Sequence, residues 1–227
     1  MNCALLVAAG RGTRMGPKVD KLFLEVAGRP VVAHTWQKFN DSPAIAEIIL
    51  VVREGMQPHF AELARQHAFT KPYRLVVGGA ERQDSVWNGL AALPAECEVV
   101  AIQDAARPCT SEALIAATLA AAHETGAAVA AQPVTDTLKE TLDGQTISRT
   151  VDRSKMWAVQ TPQCFKAAII RRAIQAARDQ GLKLTDDTAA CELIGQPVRL
   201  IPGTTPNPKV TVPGDLPFIA TLLRHGV

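Results

Sequence analysis

The chain has no excess of charge of either sign: 24 Lys plus Arg stand against 22 Asp plus Glu in 227 residues, a formal net charge of +2. A duplex-binding protein gains most of its affinity by neutralising phosphates and carries a clear basic excess, so bulk nucleic-acid binding is not expected. No stretch approaches the ~20 apolar residues that cross a bilayer. The opening Met1-Asn2-Cys3-Ala4-Leu5-Leu6 lacks the basic n-region and the length of a signal peptide. A cytoplasmic protein without a membrane segment is expected. Cysteines are few (Cys3, Cys97, Cys109, Cys164, Cys191), odd in number and widely spaced, so neither a disulfide framework nor a structural zinc site is indicated. His34, His59, His67, His123 and His225 are scattered, and neither G-x-S-x-G nor H-E-x-x-H occurs. The commonest hydrolase readings are thereby removed.

What is present is an ordinary globular composition, 47% hydrophobic and 20% charged, sufficient for a core. At ~100 to 200 residues per domain, one domain over residues 1–227 is expected. Short β-branched or aliphatic runs, at residues 4–8, 45–52, 73–77, 99–103, 127–133 and 198–201, alternate with longer segments of helical period. Their near-continuous apolar character suits strands buried on both faces. Val31, Val32, Thr35, Trp36 and Phe39 form one helical stripe after Pro30. Leu114, Ile115, Thr118, Leu119 and Ala122 form a second, with Thr110 or Ser111 as N-cap and Gly126 past its end. A third, Ile169 to Ala177, precedes Gly181. The pattern predicts an α/β fold: a Rossmann-like, mostly parallel sheet with helices on both faces.

One segment departs from this rhythm. From Thr135 to Ser154 the chain turns polar, with Asp143-Gly144 placed as a hairpin turn between two extended arms. A two-stranded ribbon is marginal alone, so a protruding β-arm over residues 135–154 that packs on a partner, a second copy of the chain, is expected.

The most distinctive segment follows the first predicted strand: Ala8-Ala9-Gly10-Arg11-Gly12-Thr13-Arg14-Met15-Gly16-Pro17-Lys18-Val19-Asp20-Lys21. Glycines let backbone amides approach a ligand, and a small-residue loop at the end of a first strand is a natural phosphate cradle. Met15 breaks both the dinucleotide fingerprint and the P-loop pattern. Cations distinguish this loop instead. Residues 1–30 hold five basic groups (Arg11, Arg14, Lys18, Lys21, Arg29) against two acidic ones. Arg forks and Lys point charges together suit charge stabilisation at a phosphorus under attack.

Together with Lys21-Leu22-Phe23-Leu24 and Gly28-Arg29-Pro30-Val31, this loop resembles the signature of sugar-nucleotide and cytidylyl transferases. Further blocks narrow the match: Gly78-Gly79-Ala80-Glu81-Arg82-Gln83-Asp84-Ser85-Val86, Asp104-Ala105-Ala106-Arg107-Pro108, Val151-Asp152-Arg153, Thr161-Pro162-Gln163 and Lys209-Val210-Thr211. With them the chain resembles the cytidylyltransferase family of the non-mevalonate isoprenoid pathway, over residues 4 to 216. The resemblance implies transfer of CMP from CTP to 2-C-methyl-D-erythritol 4-phosphate. Ribitol 5-phosphate is the alternative acceptor, and a non-catalytic nucleotide-binding regulatory module the alternative class.

Site residues follow from the same resemblance. Ala8, Ala9, Gly10 and Gly12 would wrap the CTP phosphates, with Arg14 and Lys21 as the catalytic cations at the α-phosphate. Lys21 is chosen because it directly precedes Leu22-Phe23-Leu24; Lys18 is the other candidate. Gly79, Arg82 and Ser85 would recognise the cytosine and hold the nucleotide, the loop amides and the Ser85 hydroxyl facing the ligand. Asp104, with Ala105 beside it, would sit near a magnesium ion bridging the triphosphate, and Arg107 close to the phosphates. Arg153 and Lys209 would orient the acceptor, joined by Asp136 and Thr137, with Arg153 supplied across a homodimer interface by the arm. Thr185-Asp186-Asp187 would cap a helix running to Ile194 and only secondarily touch ligand.

Overall fold

The computed structural model describes residues 1–10 and 20–226. Its elements in chain order are β1 (Asn2–Ala8), β2 (Glu25–Val26), β3 (Arg29–Pro30), α1 (Val31–Asp41), β4 (Glu47–Val52), α2 (Gln57–Gln66), β5 (Tyr73–Val77), α3 (Arg82–Ala91), β6 (Val99–Asp104), α4 (Glu112–Thr125), β7 (Ala127–Pro133), β8 (Lys139–Thr141), β9 (Ile147–Thr150), β10 (Trp157–Lys166), α5 (Ala167–Asp179), α6 (Asp187–Leu193), β11 (Arg199–Pro202) and α7 (Asp215–Arg224).

Seven strands form one sheet in the order β11-β7-β10-β6-β1-β4-β5. All neighbours are parallel except β10, which runs antiparallel between β6 and β7. Successive side chains on a strand point to opposite faces, and here both faces are covered. Ala4, Leu6 and Ala8 of β1 join Ile48, Leu50 and Val52 of β4 in a layer with α1, α2 and α4. Cys3 and Leu5 join Ile49, Val51, Val100 and Ile102 in the opposite layer, against α3, α5 and α6. Burial on both sides is why these strands read as unbroken apolar runs. The fold class read from the sequence is the one observed.

The three helical stripes are core faces: Val31, Val32, Thr35, Trp36 and Phe39 are buried on α1, and Ile170, Ala173, Ile174 and Ala177 on α5. Ser111 is the cap of α4, accepting from the Leu114 amide, and Gly126 ends that helix at φ 90°. Three expectations are corrected. The second strand begins at Glu47 rather than Ile45, because Ala44 to Ala46 turn the chain into the sheet and the Ala46 amide bonds Asn2 O at 2.9 Å. The last strand is Arg199–Pro202. The ten-residue β10 was not among the strand candidates, since Pro162 lies inside it and a proline cannot donate to a ladder. The register shifts between Val159 and Gln163, which accommodates the proline within a strand that borders two others.

The chain passes from β1 to β4 and β5 on one side, then returns to β6 on the other side of β1. The gap beyond the carboxyl ends of β1 and β6 is therefore the topological switch point, where open α/β sheets bind ligands. The 135–154 excursion leaves the sheet after β7, and the chain re-enters it as β10. Within the excursion, β8 and β9 pair only with each other. The turn contains Asp143 and Gly144 (φ 74°); Asp143 Oδ1 accepts from the Thr146 and Gln145 amides at 2.7 and 2.8 Å and from the Thr141 hydroxyl at 2.9 Å. These bonds hold the Asp143 carboxyl well below the usual carboxylate range.

Helix α3 lies close over the sheet at Gly89. A Cβ there would meet Leu5 Cδ1 at 2.6 Å and Val51 Cγ2 at 2.8 Å, both on fully buried side chains. Gly89→Ala gains up to ~1 kcal/mol of helix propensity, but overpacking a filled core costs ~1–3 kcal/mol. With contacts of 2.6 and 2.8 Å the clash is expected to win, lowering stability by up to ~2 kcal/mol net; urea unfolding of the two proteins measures it.

Candidate active site

A cavity of about 870 Å³ opens over the carboxyl ends of β1, β4, β5 and β6, within the size range of small-molecule sites. Its wall includes Val7, Ala9 and Gly10 at the end of β1, Arg53 and Glu54 after β4, Val77 to Arg82 from the end of β5 to the start of α3 and Asp104 to Ala106 at the end of β6, with Lys21 and Lys209 brought in from connecting segments. Close packing at the base of the loop explains Gly78 and Gly79. A Cβ on Gly78 would meet Ala9 Cβ at 2.5 Å, and one on Gly79 would meet Asp84 Cβ at 2.3 Å.

The loop from Gly78 into α3 is tied down from within. The Gly79 amide donates to Ser85 Oγ at 3.1 Å, the Ser85 hydroxyl donates to Glu81 O at 3.2 Å, and the Glu81 amide donates to Asp84 Oδ2 at 3.2 Å. The sequence reading turns the loop amides and the Ser85 hydroxyl toward the ligand; of these amides, that of Gly79 is engaged within the loop. Gly79 and Ser85 both line the cavity, yet their polar atoms bond each other. In this geometry Ser85 shapes the loop.

At the centre stands Asp104, the last residue of β6, its side chain 12% exposed. Lys209 Nζ donates to its Oδ2 at 2.7 Å, Arg107 Nε lies 3.7 Å from the same oxygen, and Arg82 Nε lies 3.6 Å from Oδ1. Burial opposes the charge on Asp104, but the charges of Lys209, Arg82 and Arg107 outweigh it and hold the carboxyl below the usual range. Its amide donates to Thr161 Oγ1 at 3.1 Å, so β10 fixes the backbone that carries it.

Arg82 faces a second acid. Its Nη1 and Nη2 donate to Asp187 Oδ1 and Oδ2 at 2.9 and 2.7 Å. Desolvation works against the Arg82 cation, but Asp187 and then Asp104 outweigh it and raise its pKa. Lys209 is placed by its neighbour Asn207. The buried Asn207 amide donates to Thr161 O at 2.8 Å and its Oδ1 accepts from Thr110 Oγ1 at 3.0 Å, while Arg107 Nη1 donates to Asn207 O at 2.7 Å. Lys21 Nζ donates to Val210 O at 2.8 Å, joining the end of the first loop to the Lys209 segment.

Ala9, Gly10, Lys21, Gly79, Arg82, Ser85, Asp104, Ala105 and Lys209 thus meet around one cavity, with Ala8 buried beneath it and Arg107 against Asp104. Gly12, Arg14 and Lys18 lie outside the described residues. Asp136, Thr137 and Arg153 are on or beside the arm, exposed, and not on the cavity wall; Arg153 donates to Thr135 O. Sequence reasoning missed Asn207 and the role of Asp187, read there as part of a helix cap. Asp186 is the cap of α6, its side chain accepting from the Ala189 amide, and Asp187 is buried against Arg82. Two adjacent acids where one suffices as a cap were the available signal.

The donor set bears on magnesium. Among the described residues no group of three or more His, Cys, Asp or Glu side chains is placed to hold a metal. Magnesium commonly takes one or two carboxylates together with substrate phosphates and water. Asp104 fits that role as a single ligand, provided Lys209 leaves Oδ2.

The whole chain bears comparison with known proteins. Residues 2–225 match the family model described as 2-C-methyl-D-erythritol 4-phosphate cytidylyltransferase. A relative of that name from Desulforamulus reducens is 41% identical over 223 residues, which span 98% of this chain and 95% of the relative. The crystal structure of 4-diphosphocytidyl-2C-methyl-D-erythritol synthase from Anaerococcus prevotii superposes with a TM-score of 0.87 at 29% identity, covering 99% of this chain and 96% of that one. That of the 2-C-methyl-D-erythritol 4-phosphate cytidylyltransferase from Thermus thermophilus gives 0.82 at 35% identity, covering 99% and 100%. A match along nearly the full length, in sequence and in fold, leads to one conclusion: the chain belongs to the 2-C-methyl-D-erythritol 4-phosphate cytidylyltransferase family.

Proposed function

We propose that this chain transfers the cytidylyl group of CTP to 2-C-methyl-D-erythritol 4-phosphate, releasing pyrophosphate and giving 4-diphosphocytidyl-2-C-methyl-D-erythritol, a step of isoprenoid precursor biosynthesis. The observation that carries it is the meeting of Lys21, Arg82 and Lys209 with close-packed backbone at the switch point, in a chain of this family. The acceptor named by the matching relatives is methylerythritol phosphate, which favours it over ribitol 5-phosphate.

A phosphate oxygen of the acceptor attacks the α-phosphorus of CTP in line, a P–O bond forms, and the bond to the bridging oxygen breaks with its electron pair leaving on pyrophosphate. No general base is needed, because the second pKa of a phosphomonoester is ~6 and the nucleophile is already ionised near neutral pH. The protein supplies position and charge. Lys21, with Arg14 from the loop, meets the charge that develops at the α-phosphate. Arg82 and the Gly78-Gly79 turn hold the nucleotide. Lys209, already paired with a carboxylate, exchanges it for the acceptor phosphate. A magnesium ion, held by Asp104, would neutralise triphosphate charge when bound.

The arm supports the proposal of a homodimer. Leu142 and Ile147 are 91% and 62% exposed on a ribbon whose strands pair only with each other. In that assembly Arg153, Asp136 and Thr137 would complete the acceptor site of the partner. A cytoplasmic location suits an enzyme that consumes CTP and carries five free, buried thiols; among the described residues no helix is long and apolar enough to cross a membrane.

Pyrophosphate release measured with CTP and each polyol phosphate is expected to be robust with methylerythritol phosphate; turnover of ribitol 5-phosphate alone would overturn the assignment. Lys21→Ala should lower kcat by about two orders of magnitude or more, roughly the loss of one electrostatic transition-state contact, with much less effect on CTP binding. Equal losses in both would make Lys21 a binding residue. Mixed Arg153→Ala and Lys21→Ala chains should regain part of the activity lost in each alone, and no gain from demonstrably exchanged subunits would sink the shared-site arm.

A further inference from the structure

Four consecutive residues at the cavity's edge, Glu81 to Asp84, are each tied by a side chain to the segment running from Arg178 to Asp187. Lys183 Nζ donates to Glu81 Oε1 at 3.3 Å, and Arg178 Nη1 donates to Asp84 Oδ1 at 3.1 Å. Gln83 donates to Leu182 O at 3.1 Å and accepts from the Leu184 amide at 2.8 Å. The two ion pairs lie toward solvent and contribute little singly. The tie at Arg82 differs in kind, because its two bonds end on Asp187, whose side chain is 1% exposed. A bidentate fork fixes the plane of a guanidinium as well as its position.

Arg82 lines the cavity and Asp187 does not. Asp104 does not by itself set the guanidinium, since its Oδ1 lies 3.6 Å from Arg82 Nε, beyond hydrogen-bond distance. Asp187 is in turn anchored: its amide donates to Gln163 Oε1 at 3.1 Å, and Gln163 Nε2 donates to Asp186 Oδ2 at 2.9 Å. The arrangement runs from β10 through Asp187 to a single cation at the ligand surface.

We propose that Asp187 is a positioning residue of the nucleotide site, acting through Arg82: it presents the guanidinium to the cavity in one fixed plane, so that little ordering is left to the moment of binding. This inference rests on the reading of the cavity as the CTP site. The test is CTP binding by calorimetry on the full chain, with thermal unfolding in parallel, for the unaltered protein, Asp187→Asn, Arg82→Met and the two combined. Asp187→Asn is expected to weaken CTP roughly tenfold, with KM for CTP rising far more than kcat falls, and to cause no further loss in the Arg82→Met background, as residues in one contact network are non-additive. The same loss in both backgrounds, or a lower Tm with unchanged CTP affinity, would overturn it. Removing one partner of a buried pair strands the other, and if Asp187→Asn fails to fold for that reason, Arg82→Met combined with Asp187→Leu replaces the pair by apolar side chains. That double variant should bind CTP as Arg82→Met does, and weaker binding would count against the proposal. Absence of CTP binding by the unaltered chain would instead remove the reading of the cavity, and this inference with it.

Discussion

A carboxylate taken out of water at the end of a buried strand organises the site. Every residue of β6 is buried, including Asp104, and an isolated buried charge would shift its pKa and neutralise rather than persist. Asp104 stays charged because three cations from three parts of the chain surround it: Arg82 from α3, Arg107 from the turn after β6 and Lys209 from the segment before α7. The same attraction that keeps Asp104 ionised draws those segments together. It also holds Lys209 by a hydrogen bond, while Arg82 is shared with Asp187, to which both of its hydrogen bonds run.

The antiparallel strand β10 is what makes that convergence possible. Lying between β6 and β7, it places Thr161 where its hydroxyl accepts from the Asp104 amide and its carbonyl accepts from Asn207. Two residues on, Gln163 reaches the Asp186 and Asp187 pair. One strand thus supports both the carboxylate that holds Lys209 and the carboxylate that holds Arg82. A further parallel strand in its place would present its other end at the switch point and could not follow directly from the arm.

Legibility in the sequence divides along the same lines. Strands such as β1 and β4 were readable because burial on both faces leaves unbroken apolar runs, and α1, α4 and α5 because one buried stripe repeats at helical spacing. Strand β10 was not, since its first half is exposed and Pro162 interrupts the pattern. Helix α7 buries only Ile219, too little for a stripe. At the site, Lys21, Arg82, Asp104 and Lys209 could be named from their blocks, yet nothing local to those blocks says that they touch. Asp104 and Lys209 are joined across almost the whole second half of the chain, and such pairings are a property of topology. The misreading of Asp187 has the same origin: a helix-start motif explains one acid locally, and the second is explained only by an arginine 105 residues earlier.

The charge distribution fits this division of labour. A chain with 24 basic and 22 acidic residues carries little net charge with which to steer a polyanion over long range. Among the described residues of the site, Arg82, Arg107 and Lys209 are instead gathered at short range around the buried Asp104. Held cations are spared the ordering that a loose side chain undergoes on binding, and they discriminate, since only a ligand that offers anionic oxygens at the right places matches them. Arg82 and Lys209 face different oxygens of Asp104. On the proposed assignment of Arg82 to the nucleotide and Lys209 to the acceptor, the two halves of the site would meet at one carboxylate, and displacing one of its cations would change the balance felt by the other.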